Sequence, residues 1–290
     1  MTAVIDKLEQ LAERDAVLAP LARSYAAALR LLTSPTGTAI AVFLDPADRL
    51  ASGAIPLLHG RTIATDLGAL RQLAADTTAI FVRSGVPEAD TLLDAVASDR
   101  LPPLDLVRAT LCADQENLQR LALATQTSNQ LVAVLGSVLV IPIAAALVRN
   151  SAAASPTRWQ AGYCPVCASW PTLAELRGLE RERWLRCGRC GSGWRFPHQE
   201  CPFCGNSDHR RLGYFAEEGK QDSQRVEVCQ ACRGYVKTFA TLGPWSQGEV
   251  LWHDLTTVEL DLVAAERDYR RPEGLGYPLA VQIVARELAA

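Results

Sequence analysis

The sequence has little of what marks a nucleic-acid binder or a secreted protein. Lysine occurs only three times in 290 residues, and 32 acidic against 29 basic residues give a formal net charge of -3. This balance lacks the broad basic surface that nucleic acid requires, so we expect no nucleic-acid partner. The first ten residues include acids and show no basic start followed by an apolar core. We therefore expect no secretory signal peptide and a cytoplasmic location.

Aromatic residues and cysteines are scarce in the first half of the chain. Only Tyr25, Phe43 and Phe81 precede residue 158, whereas all six tryptophans and eight of the nine cysteines follow it. Apolar residues make up 49% of the sequence, which is enough for packed cores and excludes global disorder. The uneven distribution predicts two parts of different construction.

Residues 1–150 are expected to form a helical domain. Apolar residues recur at helical spacing between Ile5 and Leu29, and Pro20 is expected to divide this stretch into two helices. The isolated His59 and Cys112 fit surface and core positions better than a catalytic site. Further helices are expected over residues 66–81 and 89–97, and from after Pro102-Pro103 to about Thr125.

The most apolar segment runs from Leu131 to Val148 without a charge, about the length of a membrane span. A buried core helix is the alternative. Gly136 and Pro142 interrupt the run, and Pro142 removes a backbone donor, so it should kink or divide any helix there. We favour a buried helix and expect no stable membrane insertion.

After residue 157 the predicted secondary structure changes from helix to strand and then back to helix. Short alternating segments with glycine predict strands up to about residue 242, and helix is expected again after Gly243. A capping box is expected at Thr256-Thr257-Val258-Glu259, and a last short helix over 281–288. The expected organisation is a helical domain over 1–150, a linker over 151–157, small modules over 158–200 and 201–242, and a C-terminal helical segment over 243–290.

The eight late cysteines form four Cys-x-x-Cys turns, which we call knuckles. A two-residue spacer lets both sulfurs of a tight turn face one ion, and two knuckles complete a tetrahedral shell. Gly191 and Gly205, directly after the second cysteine of their knuckles, allow the positive φ that such a turn needs. Four pairs at this spacing favour metal binding over redox dithiols or disulfides. The knuckles are Cys164/Cys167, Cys187/Cys190, Cys201/Cys204 and Cys229/Cys232.

The intervals between knuckles indicate how they pair. Residues 168–186 and 205–228 are each long enough for a hairpin with a knuckle at either end, whereas residues 191–200 suit a connection. Interleaved pairing, first with third and second with fourth, is the alternative topology. The prediction is a first four-cysteine site of Cys164, Cys167, Cys187 and Cys190, and a second four-cysteine site of Cys201, Cys204, Cys229 and Cys232.

Four protein sulfurs leave no open position for water or substrate, so each site is expected to be structural or electron-transferring, and no catalytic residue is predicted. Iron and zinc share this geometry, and the sequence does not choose between them. Residues 158–200 also hold seven arginines. They indicate either an anionic partner or an offset for the negative charge of the thiolates, and we favour the offset.

The ordered knuckles and their neighbours resemble the FdhE family of formate dehydrogenase accessory proteins over residues 158–272. The matching pieces are Cys164-Pro-Val-Cys167 with Trp170-Pro171, Arg186-Cys187-Gly-Arg-Cys190-Gly191 with Trp194, Cys201-Pro-Phe-Cys204-Gly205, Val226-Glu-Val-Cys229-Gln-Ala-Cys232-Arg-Gly234-Tyr235-Val-Lys237, a helix with Asp254 and Asp261, and Tyr269-Arg270-Arg271. Ala168 stands where the family usually has glycine.

The resemblance implies a multidomain α plus small β fold. It consists of a helical N-terminal domain, two tandem rubredoxin-like or zinc-ribbon modules and a C-terminal helix. It also implies a cytoplasmic, non-enzymatic maturation factor or chaperone with iron at its four-cysteine sites. Its implied partner is the catalytic subunit of a respiratory formate dehydrogenase, bound before export. The alternatives are a rubredoxin-like electron-transfer protein and, less favoured, a zinc-ribbon nucleic-acid binder.

Overall fold

The structure is a computed structural model that describes residues 1–34, 37, 40–44, 54–150 and 159–286. The helices of this part are α1 (Thr2–Arg14), α2 (Ala19–Thr33), α3 (Leu67–Arg83), α4 (Ala89–Ala97), α5 (Pro103–Leu111), α6 (Gln115–Thr125), α7 (Asn129–Arg149), α8 (Gln247–Thr256) and α9 (Val258–Glu266). The strands are β1 (Ala41–Phe43), β2 (Arg61–Asp66), β3 (Leu173–Arg177), β4 (Glu182–Arg186), β5 (Gly193–Arg195), β6 (Leu212–Phe215), β7 (Gln224–Cys229), β8 (Tyr235–Thr241) and β9 (Val281–Arg286).

The described residues fall into two compact units. The first takes those within 1–48, 58–152 and 279–290, and the second takes those within 49–57 and 153–278. The first unit is mainly helical, and the second is built on a sheet that carries all eight clustered cysteines. The predicted multidomain α plus small β class is confirmed. The predicted linker over 151–157 lies outside the described residues.

Helix α7 is the core of the first unit. Fourteen of its 21 residues are buried, and α2, α3, α5 and α6 pack around it. By length and composition it could cross a membrane, but 78% of its most apolar window is buried inside the protein. Of the two expected effects of Pro142, a kink or a division, the division does not occur, since the helix continues through this residue. Packing on all sides holds the helix together where proline removes one backbone donor.

The surrounding helices follow the predicted pattern with local differences. The stretch between Ile5 and Leu29 forms two helices, as predicted, and Pro20 lies in the first turn of α2. The single helix expected from after Pro103 to about Thr125 is instead two helices, because Ala113 takes a left-handed φ of 51° between α5 and α6. Asp114 then caps α6 by accepting a hydrogen bond from the Asn117 amide at 3.1 Å.

The first unit also contains a three-stranded sheet. Strand β2 pairs antiparallel with β1 and parallel with β9, in register from Arg61 opposite Val281 to Asp66 opposite Arg286. The predicted helix over 281–288 is therefore wrong over its described residues. Val281, Ile283 and Val284 are β-branched and suit a strand once β2 offers a partner edge.

The second unit holds one six-stranded sheet in the order β5-β4-β3-β8-β7-β6. Each module contributes three strands, and the modules join through parallel pairing of β3 with β8, Leu173 opposite Lys237. Helices α8 and α9 cover this junction, where Val250 and Leu260 pack against Leu173 and Phe239.

The capping box in this region lies at the start of α8. Ser246 accepts from the Glu249 amide at 3.3 Å, while the Glu249 carboxylate accepts from the Ser246 amide at 2.6 Å. The box expected before Glu259 is not formed. Thr257 is the N-cap of α9, but its hydroxyl donates to the His253 carbonyl at 2.7 Å.

Candidate metal centres

The hairpins β3–β4 and β6–β7 bring the knuckles together in two groups. In the first four-cysteine site, the Sγ atoms of Cys164 and Cys190 are 3.5 Å apart, and Cys167 lies 3.5 Å from Cys187. In the second four-cysteine site, Cys201 and Cys232 are 3.6 Å apart, and Cys204 and Cys229 are 3.8 Å apart. All four sulfurs of each group lie within 4.8 Å of one another. The knuckles thus group consecutively, and the interleaved topology does not occur.

These distances suit a tetrahedral metal ion. A metal–sulfur bond of about 2.3 Å places the four sulfurs of a tetrahedron about 3.8 Å apart. The sulfur–sulfur separations of 3.5–3.8 Å match this edge length. Both four-cysteine groups could therefore hold one ion with four sulfur ligands, and either iron or zinc fits this donor set.

One backbone turn is repeated in all four knuckles. In the first, the Ala168 amide donates to the Cys164 carbonyl at 3.1 Å, and the Cys164 amide donates to the Ser169 carbonyl at 2.9 Å. The corresponding pairs recur at Cys187, Cys201 and Cys229, with distances of 2.9–3.0 Å. The residue after each second cysteine takes a left-handed φ: Ala168 at 60°, Gly191 at 77°, Gly205 at 70° and Arg233 at 60°.

The electrostatics of the groups favour a bound cation. Burial raises the pKa values of the Cys164 and Cys190 thiols in the first four-cysteine site. A buried thiolate is costly without a compensating charge, and a divalent ion supplies that charge. Metal binding to these sites therefore displaces thiol protons and weakens as the pH falls.

Five of the seven arginines of the first module are paired with carboxylates of the same unit. Arg177 and Arg186 both contact the buried Glu175, and Arg183 lies 2.9 Å from Glu227. Two more pairs, to Glu182 and Asp222, involve Arg195 and Arg181. Arg158 lies outside the described residues. Arg186 also interacts electrostatically with Cys187, and the favoured explanation, that the arginines offset thiolate charge, stays a prediction.

An ion-pair network around the buried Lys237, beside the second module, had no role assigned from sequence. The Lys237 side chain is fully buried, and its Nζ lies 2.9 Å from Asp254 and 2.8 Å from Asp261. Arg271 contacts the same two carboxylates at 2.6 and 2.8 Å, and the Tyr235 hydroxyl donates to Asp261 at 2.7 Å. A lysine within an otherwise apolar strand is the signal that points to such a network. These contacts attach α8 and α9 to β8.

A helical unit combined with tandem four-cysteine modules in one sheet defines a class of protein with paired rubredoxin-like centres, each closed by four cysteines. The FdhE C-terminal domain family model matches residues 200–275. An FdhE homolog from Stutzerimonas stutzeri is 30% identical over 273 residues, covering 89% of this chain and 86% of that protein. The chain belongs to the FdhE family, as the resemblance implied, and the family is tied to formate dehydrogenase maturation.

Two further comparisons agree with this assignment. An FdhE homolog from Aquifex aeolicus is 31% identical over 119 residues, which cover 40% of this chain and 41% of that protein. The crystal structure of the FdhE protein from Pseudomonas aeruginosa has a TM-score of 0.58 and 21% identity, covering 96% of this chain and 94% of that one. The likeness to that structure extends over both units and shows a shared fold.

Proposed function

We propose that this chain is a cytoplasmic accessory factor without catalytic activity of its own. It binds the catalytic subunit of a formate dehydrogenase and supports assembly of that enzyme before export. The observation that carries the proposal is 30% identity to an FdhE homolog over 89% of the chain. Because this similarity includes the helical unit as well as the cysteines, it supports a common role rather than a common metal motif alone.

We infer that each four-cysteine site holds one ion, iron by family resemblance or zinc by shared geometry. Four cysteines complete the shell in each site, so no position remains for a hydrolytic water. The ligands come from knuckles on separate hairpin ends, and an ion therefore ties each module together. By analogy with zinc fingers, this contributes roughly 10–16 kcal/mol per site to folding.

The binding part of the proposal is tested by co-purification. A tagged, full-length, metal-loaded chain is mixed with purified formate dehydrogenase catalytic subunit, and the complex is isolated by affinity and size-exclusion chromatography. We expect co-elution in a fixed ratio, and no co-elution with an unrelated exported metalloenzyme subunit as the control. Absence of a complex with the correctly loaded chain would overturn the proposal.

The metal part is tested by elemental analysis of anaerobically purified protein. We expect two equivalents of metal per chain. Iron in a four-sulfur shell colours the protein red and bleaches on reduction, whereas zinc leaves it colourless. Substantially less than one equivalent in folded protein would contradict a role for the four-cysteine sites in metal binding.

Electron transfer is a second candidate function, and the exposure of the second four-cysteine site favours it. Cys204 and Cys232 reach the surface, which would allow a redox partner to approach the ion closely. The two functions are separated by replacing iron with zinc, which is not redox-active. A binding factor should support formate dehydrogenase assembly equally well with either metal, whereas an electron carrier should lose its effect with zinc.

A further inference from the structure

The two four-cysteine sites share one backbone design but differ in exposure. In the first site all four cysteines are buried, Cys190 at 2% and the others at 0% exposure. In the second site Cys201 and Cys229 are buried, but Cys204 and Cys232 are exposed. These two are the second cysteines of their knuckles, so the same ligand position is open in both halves of the second site.

Residues distant in sequence close the first site. The Leu57 amide donates to the Pro165 carbonyl at 2.8 Å, on the first knuckle. The Gln247 side-chain amide donates to the carbonyls of Gly188 and Arg189 at 3.2 and 2.8 Å, on the second knuckle. A Cβ at Gly191 would lie only 2.9 Å from the Gln247 Cβ, so α8 rests directly on this turn.

The turns of the second site are covered on one side only. The backbone at Gly162 lies against the third knuckle, since a Cβ there would be 1.8 Å from the Pro202 carbonyl oxygen, but the second cysteine of each knuckle faces solvent. Gly205, the residue after Cys204, is exposed, and a Cβ at this position would meet no atom within 4 Å. In the other knuckle Gln230 and Ala231 are exposed together with Cys232. Two of the four ligand residues of this site are therefore exposed to solvent in the folded protein, whereas none is in the first site.

We propose that the second four-cysteine site is the exchangeable one, where external thiolates replace Cys204 and Cys232, while the first site keeps its ion. The inference rests on the metal-binding part of the proposed function. In each exchange the incoming sulfur bonds to the ion as Cys204 or Cys232 leaves it. The departing cysteine takes the proton that the incoming thiol has lost, and no electron is transferred. At the first site the same exchange requires local opening of the cover first.

The proposal is tested on zinc-loaded full-length protein with the chelator 4-(2-pyridylazo)resorcinol, with and without glutathione. We expect the zinc of the second four-cysteine site to leave rapidly. The zinc of the first site should leave at least about tenfold more slowly, because its release requires local opening. Glutathione should accelerate the fast phase alone. A single rate for both equivalents, or a fast phase that glutathione does not change, would overturn the inference.

The phases are assigned without altering a ligand. Alkylation of zinc-loaded protein with iodoacetamide, followed by peptide mass spectrometry, should label Cys204 and Cys232 well before the six other clustered cysteines. The variant Gln247→Ala removes a cover from the first site, so it should accelerate the slow phase only. Equal labelling of all eight cysteines, or acceleration of the fast phase by this variant, would contradict the assignment.

The loading step separates this inference from the function on which it rests. A chain that binds no zinc would refute metal binding and with it the exchangeable site. A chain that binds two equivalents and releases both at one rate would refute only the difference between the sites.

Discussion

At the scale of single residues, the knuckles depend on four positions with left-handed backbone. Glycine occupies two of them, Gly191 and Gly205, while Ala168 and Arg233 adopt the same φ with a side chain. A left-handed conformation costs a residue with a Cβ about 1–2 kcal/mol. The repeated turn therefore imposes a left-handed φ on Ala168 and Arg233 against the preference of residues with a Cβ for a negative φ. The energetic cost can be measured by introducing a Cβ at one of the glycine positions.

Gly205→Ala isolates this cost, because its new Cβ would meet nothing within 4 Å and only the φ of 70° is unfavourable. We expect the free energy of unfolding of the metal-loaded second unit to fall by about 1 kcal/mol. Urea unfolding followed by tryptophan fluorescence measures it, since all six tryptophans lie in that unit. Gly243→Ala, also in open space but without a left-handed φ, is the control and should show no loss.

The buried network around Lys237 predicts a pH dependence. Burial raises the pKa of Asp254, but Arg271 and Lys237 outweigh it and hold the pKa below its usual value. A carboxylate with a lowered folded pKa stabilises the fold above its unfolded pKa of about 4 and loses that contribution as the pH falls through the folded value. Asp254→Asn should therefore be less stable at neutral pH, with a deficit that shrinks as the pH falls below about 4.

The measurement for Asp254→Asn is the urea midpoint of tryptophan fluorescence at a series of pH values. Acid also removes metal from the four-cysteine sites, so metal content is measured in every sample and only pH values at which both proteins stay loaded are compared. Glu266→Gln, an exposed carboxylate change on α9, is the control. A deficit that stays constant across the acid range would show that Asp254 contributes through packing and not through its charge.

At the scale of elements, α7 depends on close approach to α5. A Cβ on Gly136 would lie 2.1 Å from the Thr110 Oγ1 and 3.0 Å from a Leu106 methyl carbon. Overpacking of this kind costs about 1–3 kcal/mol. Gly136→Val should therefore lower the stability of the first unit, measured by thermal loss of the helical circular dichroism signal. Ser137→Ala alters the next, exposed position of α7 and should change the melting temperature little. Equal melting of the two variants would contradict this packing.

The elements that the sequence predicts well are those set by local signals. Ala89–Ala97 is a helix as expected, and the hairpins around Gly178 and Gly219 lie where the knuckle intervals place them. Strand β9 was predicted as helix because its identity depends on pairing with β2, about 220 residues earlier. The capping box expected over residues 256–259 is absent for a local reason, since the Thr256 and Thr257 hydroxyls each donate to a carbonyl one turn back, at Trp252 and His253.

The candidate metal sites also have one property that the sequence predicts, the grouping of the cysteines, and one that it does not, their exposure. Two-residue spacers and hairpin-length intervals were enough to predict which cysteines lie together. Their exposure was not predictable, because Leu57 and Gln247 cover the first four-cysteine site from opposite ends of the sequence. The junction of β3 with β8, which makes two modules into one sheet, likewise depends on parallel pairing across more than 60 residues.

At the scale of the whole molecule, metal removal should affect the two units differently. The second unit has four-cysteine groups at its hairpin ends, whereas the first has a helical core around α7. Stripping the metal with a chelator under mild denaturant should change the tryptophan emission and make residues 159–278 sensitive to protease. Most of the helical circular dichroism signal should remain, because α1–α7 belong to the first unit.

The control for metal removal is Cys112→Ala, which changes the one cysteine outside the two groups and should leave metal content and melting unchanged. Limited proteolysis with mass spectrometry identifies the fragment that survives stripping. Simultaneous loss of the helical signal and the tryptophan signal would show that the first unit does not remain folded without the metal modules.

The pairing of β9 with β2 has a consequence for the order of events during synthesis. Residues 153–278, which hold every cysteine ligand, lie between these two strands in the chain, so β2 has no parallel neighbour until all the ligands have been translated. At 5–20 residues per second, that wait lasts roughly 10–40 s. A nascent chain thus presents all four knuckles to the metal pool of the cell while one edge of its first sheet is still open, and strand β9 closes that edge last.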